Sequence, residues 1–288
     1  MKANFYIESQ QFCYAFENYK IEEINGKKYV IPEKKAKQRV STSSERMNEF
    51  TINLLNIGKK AYYNEEIEDI EILDYVRNFG LFGFMADFPI NRYFILDDNV
   101  ALRDYNFIIY KDYVSVIKIE DYLKMFMPKL NDTQITNLIK KCRDNIKPTI
   151  MEKYLTPELN EWLIFSKDYA EPVDMIIQYA KLIYDHLVDF VENRHLLRNV
   201  PILNINNLSN SIDSLQNGQI ILKYNYLKQA IDLNFMIQLS QDTIMLKICK
   251  FCHKAFIATN SKAEYDTPQC KNKANVYSFR KRAQEEDN

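Results

Sequence analysis

The strongest constraint on this chain is a set of three thiols between residues 249 and 270. Cys249 and Cys252 stand three positions apart, and Cys270 follows after a short connection. Thiols at that spacing form a knuckle whose two sulfurs converge on one point, which suits tetrahedral Zn2+. Ahead of Cys270, Thr267-Pro268 marks a helix start, with Thr as the N-cap and Pro at the first helical position. Cys270 then falls in the first turn of a helix that runs on into Arg280-Lys281-Arg282. A knuckle, a short connection and a ligand-bearing helix make a treble-clef-like finger, expected over residues 247–288.

The fourth corner of such a site is the open question. Asp266 stands four positions before Cys270, and residues at that spacing around a helix start can face one way. A carboxylate oxygen binds Zn2+ at about 2.0–2.2 Å, so three thiolates and one carboxylate form a workable set. His253 is the competing ligand, although it follows the knuckle directly and would have to turn back toward the metal. A zinc site with every position filled is structural, its affinity becoming folding free energy. A catalytic site would need an open position and a base. Glu264 is close in sequence, but no His-Glu arrangement of the hydrolase type accompanies it. HNH nucleases use similar knuckles, yet they need a His base on the hairpin, and His253 sits in the knuckle itself. No nucleophile elbow, glycine-rich phosphate loop or Cys/His/Asn triad is found, so no catalytic residue is assigned.

Charge singles out the same stretch. Lys247–Arg282 carries nine Lys and Arg against Glu264 and Asp266, whereas residues 1–246 carry 29 basic and 34 acidic side chains. A basic module on an acidic body is the layout of a nucleic-acid-binding appendage. Lys271, Lys273, Arg280, Lys281 and Arg282 alternate with Asn272, Asn275, Tyr277 and Phe279 on the finger helix. Cations for phosphates beside Asn and aromatics for bases are what a groove-reading or strand-binding helix uses.

The rest of the chain indicates a fold class. Only five glycines in 288 residues argue against β-sandwiches, Rossmann fingerprints and P-loops, which need glycine at special dihedrals. The N-terminus lacks an apolar signal region, no apolar run reaches membrane length, and the odd cysteine count with clustered thiols fits a reducing cytoplasm. Cys13 and Cys142 read as core thiols. Asn25-Gly26 between Tyr19–Glu23 and Lys28–Ile31 predicts a hairpin, and Asn217-Gly218 a second. A capping box at Thr42 and Glu45 opens a helix with Met47, Phe50, Leu54 and Ile57 inward, expected to stop at Gly58. A second helix, about Glu65–Phe79, is expected to face inward through Ile67, Ile70, Leu73 and Val76. Leu81–Pro89 reads as buried core, with a pocket lining as the alternative that its Phe density allows. Tyr93–Val116 is strand-like or irregular, Glu120–Phe126 a short helix, and Asp132 caps a helix with Ile135, Leu138, Ile139 and Cys142 inward and Pro148 closing it. Pro157 opens a turn carrying Trp162. The longest helix, about Pro172–Asn193, buries Val173, Ile176, Ile177, Ala180, Ile183, Leu187 and Val191. Its His186, with Asp185 and Asp189, reads as a solvent face near His195. Asn199–Asn210 reads as a loop, and a last helix, Tyr226–Leu239, packs through Leu227, Ala230, Ile231 and Phe235. The expected class is mainly α with small β-hairpins (α+β). The helical body would span residues 1–246, with subdivision near 128 or 200 left open.

The finger resembles the CGNR-type zinc fingers, whose pattern is C-x2-C, an aromatic, then a C-x3-C pair leading into a Gly-Asn-Arg helix. Phe256 is the aromatic here, and Cys270-Lys-Asn-Lys273 stands at the CGNR position. The stretch from about Tyr224 is also similar to a group of proteins of low-GC Gram-positive bacteria with a like finger, as more faintly are Gly80–Pro89 and Glu120–Met127. The chain departs from the pattern in carrying Asp266 at the family's third cysteine, and Lys271 and Lys273 at its Gly and Arg. The resemblance implies a zinc finger on a helical body, with Cys249, Cys252 and Cys270 as ligands, in a DNA-binding regulator. The expectation is thus a cytoplasmic bacterial transcription regulator that binds nucleic acid, DNA first, while its body takes a small-molecule or protein partner. The alternative is an interaction or host-defence effector protein in which the finger is a purely structural staple.

Overall fold

A computed structural model describes residues 13–33, 38–41, 47–89, 94–102, 115–145, 163–164, 166–193, 212–216, 219–222, 226–240 and 245–286. Within these the chain is mainly helical with small antiparallel sheets. Strands β1 (Cys13–Phe16) and β4 (Gln38–Ser41) pair with each other. Between them, β2 (Tyr19–Ile24) and β3 (Lys27–Pro32) form the hairpin predicted at Asn25-Gly26. Both turn residues take left-handed φ, 54° and 75°, which Asn and Gly tolerate best. A third strand, β7 (Glu171–Pro172), adds to β3. β5 (Asn99–Leu102) pairs with β6 (Ser115–Lys118), and β8 (Ile212–Gln216) with β9 (Gln219–Leu222) as the second hairpin.

The first helix corrects an expected boundary. α1 runs over Met47–Tyr62, straight through Gly58. Gly58 is a contact residue and not a stop: a Cβ there would lie 2.0 Å from the carbonyl oxygen of Ala180. Ala180 belongs to α6 (Val173–Asn193), so the missing side chain lets the two helices cross closely. The capping box at Thr42 and Glu45 lies outside the described residues. So do Pro148, Pro157, Trp162, His195, Asn199–Asn210 and the Asn217-Gly218 turn.

α2 (Asp69–Phe79) ends at Gly80 as expected, with φ 93°, but its buried face is Ile72, Tyr75, Val76 and Phe79. Ile70 is exposed instead. Two aromatics, weak as helix-period signals, displace the aliphatic stripe. The following segment is core: Phe82, Phe84, Met85 and Phe88 are buried around the short α3 (Phe84–Asp87). The rings of Tyr75, Phe82, Phe84 and Phe88 stack in series, with centroids 5.4, 5.0 and 5.6 Å apart. α4 (Ile119–Phe126) and α5 (Asp132–Asn145) follow. The cap of α5 is Asn131, one residue ahead of Asp132. Its side chain accepts from Gln134 N, and the Gln134 side chain accepts from Asn131 N, both at 2.9 Å.

On α6, Val173, Ile176, Ala180, Ile183 and Leu187 are buried together with Tyr179 and Tyr184, whereas Val191 is exposed. His186 also departs from expectation: it is buried, not solvent-facing, and burial lowers its pKa. α7 (Leu227–Ser240) buries Leu227, Ala230, Ile231 and Phe235 as predicted, but also Lys228, Asp232 and Asn234. Cys142 is a buried thiol, and the side chain of Cys13 lies outside the described residues.

The buried charged groups are paired or hydrogen-bonded locally. Lys228 Nζ lies 2.7 Å from carboxylate oxygens of both Asp87 and Asp232. Tyr226 and Tyr179 complete the set, their hydroxyls donating to Asp87 at 2.8 Å and to Asp232 at 2.6 Å. Beside it, the Glu171 carboxylate accepts from the backbone N–H groups of Phe82, Gly83 and Phe84 at 2.8, 2.6 and 3.2 Å. Tyr169 donates a fourth bond at 2.6 Å. Gly83 is required twice: its φ is 79°, and a Cβ would meet that of Tyr226 at 2.5 Å.

Candidate metal centre

The knuckle is the turn of a short hairpin, β10 (Leu246–Ile248) and β11 (Ala255–Ile257). Its tight turn is held by Cys249 N–H donating to Lys254 O at 2.9 Å and His253 N–H donating to Cys249 O at 3.0 Å. The connection to the next helix is tied back by Lys247, whose Nζ donates to the carbonyls of Ser261 and Ala263 at 2.5 and 2.9 Å. Lys250 pairs with Glu264 at 2.5 Å. Two of the nine cations between Lys247 and Arg282 are therefore spent on contacts within the same stretch. α8 (Pro268–Glu286) then starts as predicted, with Thr267 Oγ1 accepting from Cys270 N–H at 3.2 Å.

This arrangement brings Cys249, Cys252, Asp266 and Cys270 together, with one ligand atom from each within 4.8 Å of the others. They lie close enough to hold a metal ion. Cys249 Sγ is 3.2 Å from Asp266 Oδ1, and Cys252 Sγ is 3.5 Å from Oδ2. Burial would raise the Asp266 carboxyl, but bonds from the thiols of Cys270, Cys249 and Cys252 outweigh it and hold it below its usual value. Burial pushes the Cys252 thiol up to about 12, and the hydrogen bond to Asp266 raises Cys270. Three sulfurs and one oxygen at a common point are soft, mixed donors, which suit zinc-like cations and not Mg2+ or Ca2+.

His253 is not a member of the group. Its φ is 59°, and its imidazole lies against the ring of Tyr63 with centroids 5.2 Å apart. Its carbonyl accepts from the Tyr184 hydroxyl at 2.6 Å. The knuckle is docked on the body by further contacts from α1, where the Asn56 side chain bonds both backbone groups of Ala255. Leu246 and Ala255 are buried in the body's main apolar cluster. No sequence signal marks these anchors, because Asn56 shares its face of α1 with Asn53, Lys59 and Lys60.

The helix side of the centre is different. Of the described side chains of α8, only Cys270 and Ala274 are half-buried and the rest are exposed. Lys271, Lys273, Arg280, Lys281 and Arg282 all lie in that exposed stretch, as does Tyr277 at 69% exposure. No acid interrupts the helix before Glu285. No helix among the described residues is long and apolar enough to cross a membrane. No protein-family model, curated protein or solved structure matches the chain.

Proposed function

We propose that this protein binds nucleic acid, DNA in the first instance, as a cytoplasmic bacterial transcription regulator. Its C-terminal module is read as a treble-clef-like zinc finger, residues 247–288, on a helical body. Zn2+ would be held by Cys249, Cys252, Cys270 and Asp266, fixing the start of α8 against the knuckle. The observation that carries the reading is α8 itself, an exposed helix bearing five cations and no acid up to Ala283. Its resemblance to CGNR-type fingers points the same way, and the acidic body leaves the helix as the surface that would meet phosphates.

The test is a salt titration of binding to duplex and single-stranded DNA. Four to five phosphate contacts give a slope of log K against log salt of about −4 on duplex DNA. Alanine at Lys271, Lys273, Arg280 and Arg282 together should abolish most of that binding and flatten the slope. A wild-type protein that binds neither form, or a quadruple variant that binds equally well, overturns the reading. The second reading, an interaction or host-defence effector protein with the finger as a staple, is favoured by the burial of Leu246 and Ala255 in the body's apolar cluster. It predicts the opposite result in the same titration, with zinc needed for folding alone.

A further inference from the structure

Cys270 and Ala274, four residues apart and both half-buried, fix which side of α8 faces the knuckle. At about 100° per residue, Lys271 and Arg282 fall on one flank of the helix and Lys273 and Arg280 on the opposite flank, each roughly 80–100° from that side. Lys281 falls on the knuckle side. Between the flanks, on the face turned away from the metal group, lie Asn272, Asn275, Val276 and Phe279. Val276 is 51% exposed and Phe279 68%. Arg282 is steadied along its flank by a bond from its Nε to Ser278 O at 3.3 Å.

Two rows of cations half a circumference apart, with amides and apolar groups between them, match one kind of surface. The major groove of B-DNA is about 12 Å wide, and a helix with its side chains is about 10–12 Å across. Its walls are two phosphate backbones, one for each flank, and its floor is base edges. Asn pairs with the N6 and N7 atoms of adenine, and apolar groups contact the thymine methyl. The major groove of double-stranded RNA is too deep and narrow for this. A single strand offers one backbone, not two.

We infer that α8 enters the major groove of duplex DNA, with Asn272 and Asn275 reading adenine and Val276 and Phe279 against thymine methyl groups. This rests on the nucleic-acid-binding reading above and assigns it a groove, a helix face and a base preference. The experiment is selection of the full zinc-loaded chain on a pool of random 20-base-pair duplexes, followed by competition with the same pool as single strands. Wild type should enrich A·T-containing sites and prefer duplex. Replacing adenine by 7-deazaadenine in an enriched site, which removes N7 without altering pairing, should weaken binding about tenfold. The Asn272→Ala/Asn275→Ala variant gains helix propensity and so keeps α8. It should still bind with the salt dependence of wild type but lose the A·T enrichment and the deazaadenine effect. No enrichment, enrichment that survives both substitutions, or a preference for single strands would overturn the inference while salt-dependent binding left the broader reading standing. No binding to either pool would overturn both.

Discussion

The Asn56 side chain and the Ala255 backbone close a two-way hydrogen-bonded ring. Asn56 Oδ1 accepts from Ala255 N–H at 2.9 Å, and Asn56 Nδ2 donates to Ala255 O at 3.3 Å. This ring joins α1 of the body to the strand that follows the knuckle. Asn56→Ala should cost about 1–3 kcal/mol, because it leaves both partly buried backbone groups without that partner. Asn56→Asp should do no better, since a carboxylate cannot donate to the carbonyl. Urea unfolding with an unchanged m-value checks this.

Metal content tests the four-residue group. Wild-type protein should retain one zinc per chain through gel filtration, measured by native mass spectrometry. Asp266→Ala should release it to a weaker chelator than wild type requires, and Asp266→Cys should hold it more firmly. Zinc retention unchanged in Asp266→Ala would remove Asp266 from the ligand set.

Gly58→Ala pits local preference against packing. In an isolated helix the change gains about 1 kcal/mol. Here the new methyl would have to displace the Ala180 carbonyl, 2.0 Å from where its carbon would sit. Overpacking of that kind costs about 1–3 kcal/mol or more, so the net effect should be destabilising, lowering the melting temperature by several degrees.

Glu171 should impose a pH dependence of unusual sign. Burial pushes its carboxyl up to about 7 although four donors surround it. A carboxyl with a raised folded-state pKa binds more protons folded than unfolded between about 4.5 and 7. Stability from this group is therefore present at low pH and is lost as pH rises through that window, by on the order of 3 kcal/mol. Glu171→Gln should remove that slope, at the cost of setting an amide N–H against backbone donors. Denaturant melts at pH 5 and 7.5 on both proteins read the difference.

Lys228 is a different case from the surface lysines. Lys228→Met leaves Asp87 and Asp232 buried without their shared cation and should cost about 3–5 kcal/mol. Lys28→Ala breaks the exposed pair with Asp69 and should cost about 1 kcal/mol or less. Thermal melts of the two variants side by side decide it.

Local chemistry was the legible part of this chain. The Asn25-Gly26 turn, the Thr267-Pro268 helix start and the convergence of three thiols with Asp266 each depend on a few adjacent residues, and each is found where the sequence places it. The helix positions were legible too, but not always their buried faces. α2 turns on Tyr75 and Phe79, because bulky aromatics take the inward positions that aliphatic spacing assigned to Ile70. Gly58 reads as a helix end until a second helix is known to cross it. Lys228 and Asp232, four apart, are buried because apolar residues occupy every side of α7. What the sequence could not supply was partnership between distant segments.

The docking of the knuckle hairpin on α1 has a kinetic side. Asn56 and Ala255 are separated by 199 positions, so their contact closes one of the longest loops the chain can make. Loop-closure entropy delays such contacts, and pairs of this kind form after local helices have already condensed. Disturbing that seam should then leave the rate of folding almost untouched and quicken the rate of unfolding. The last hairpin to arrive would act as the latch that sets how long the folded body persists.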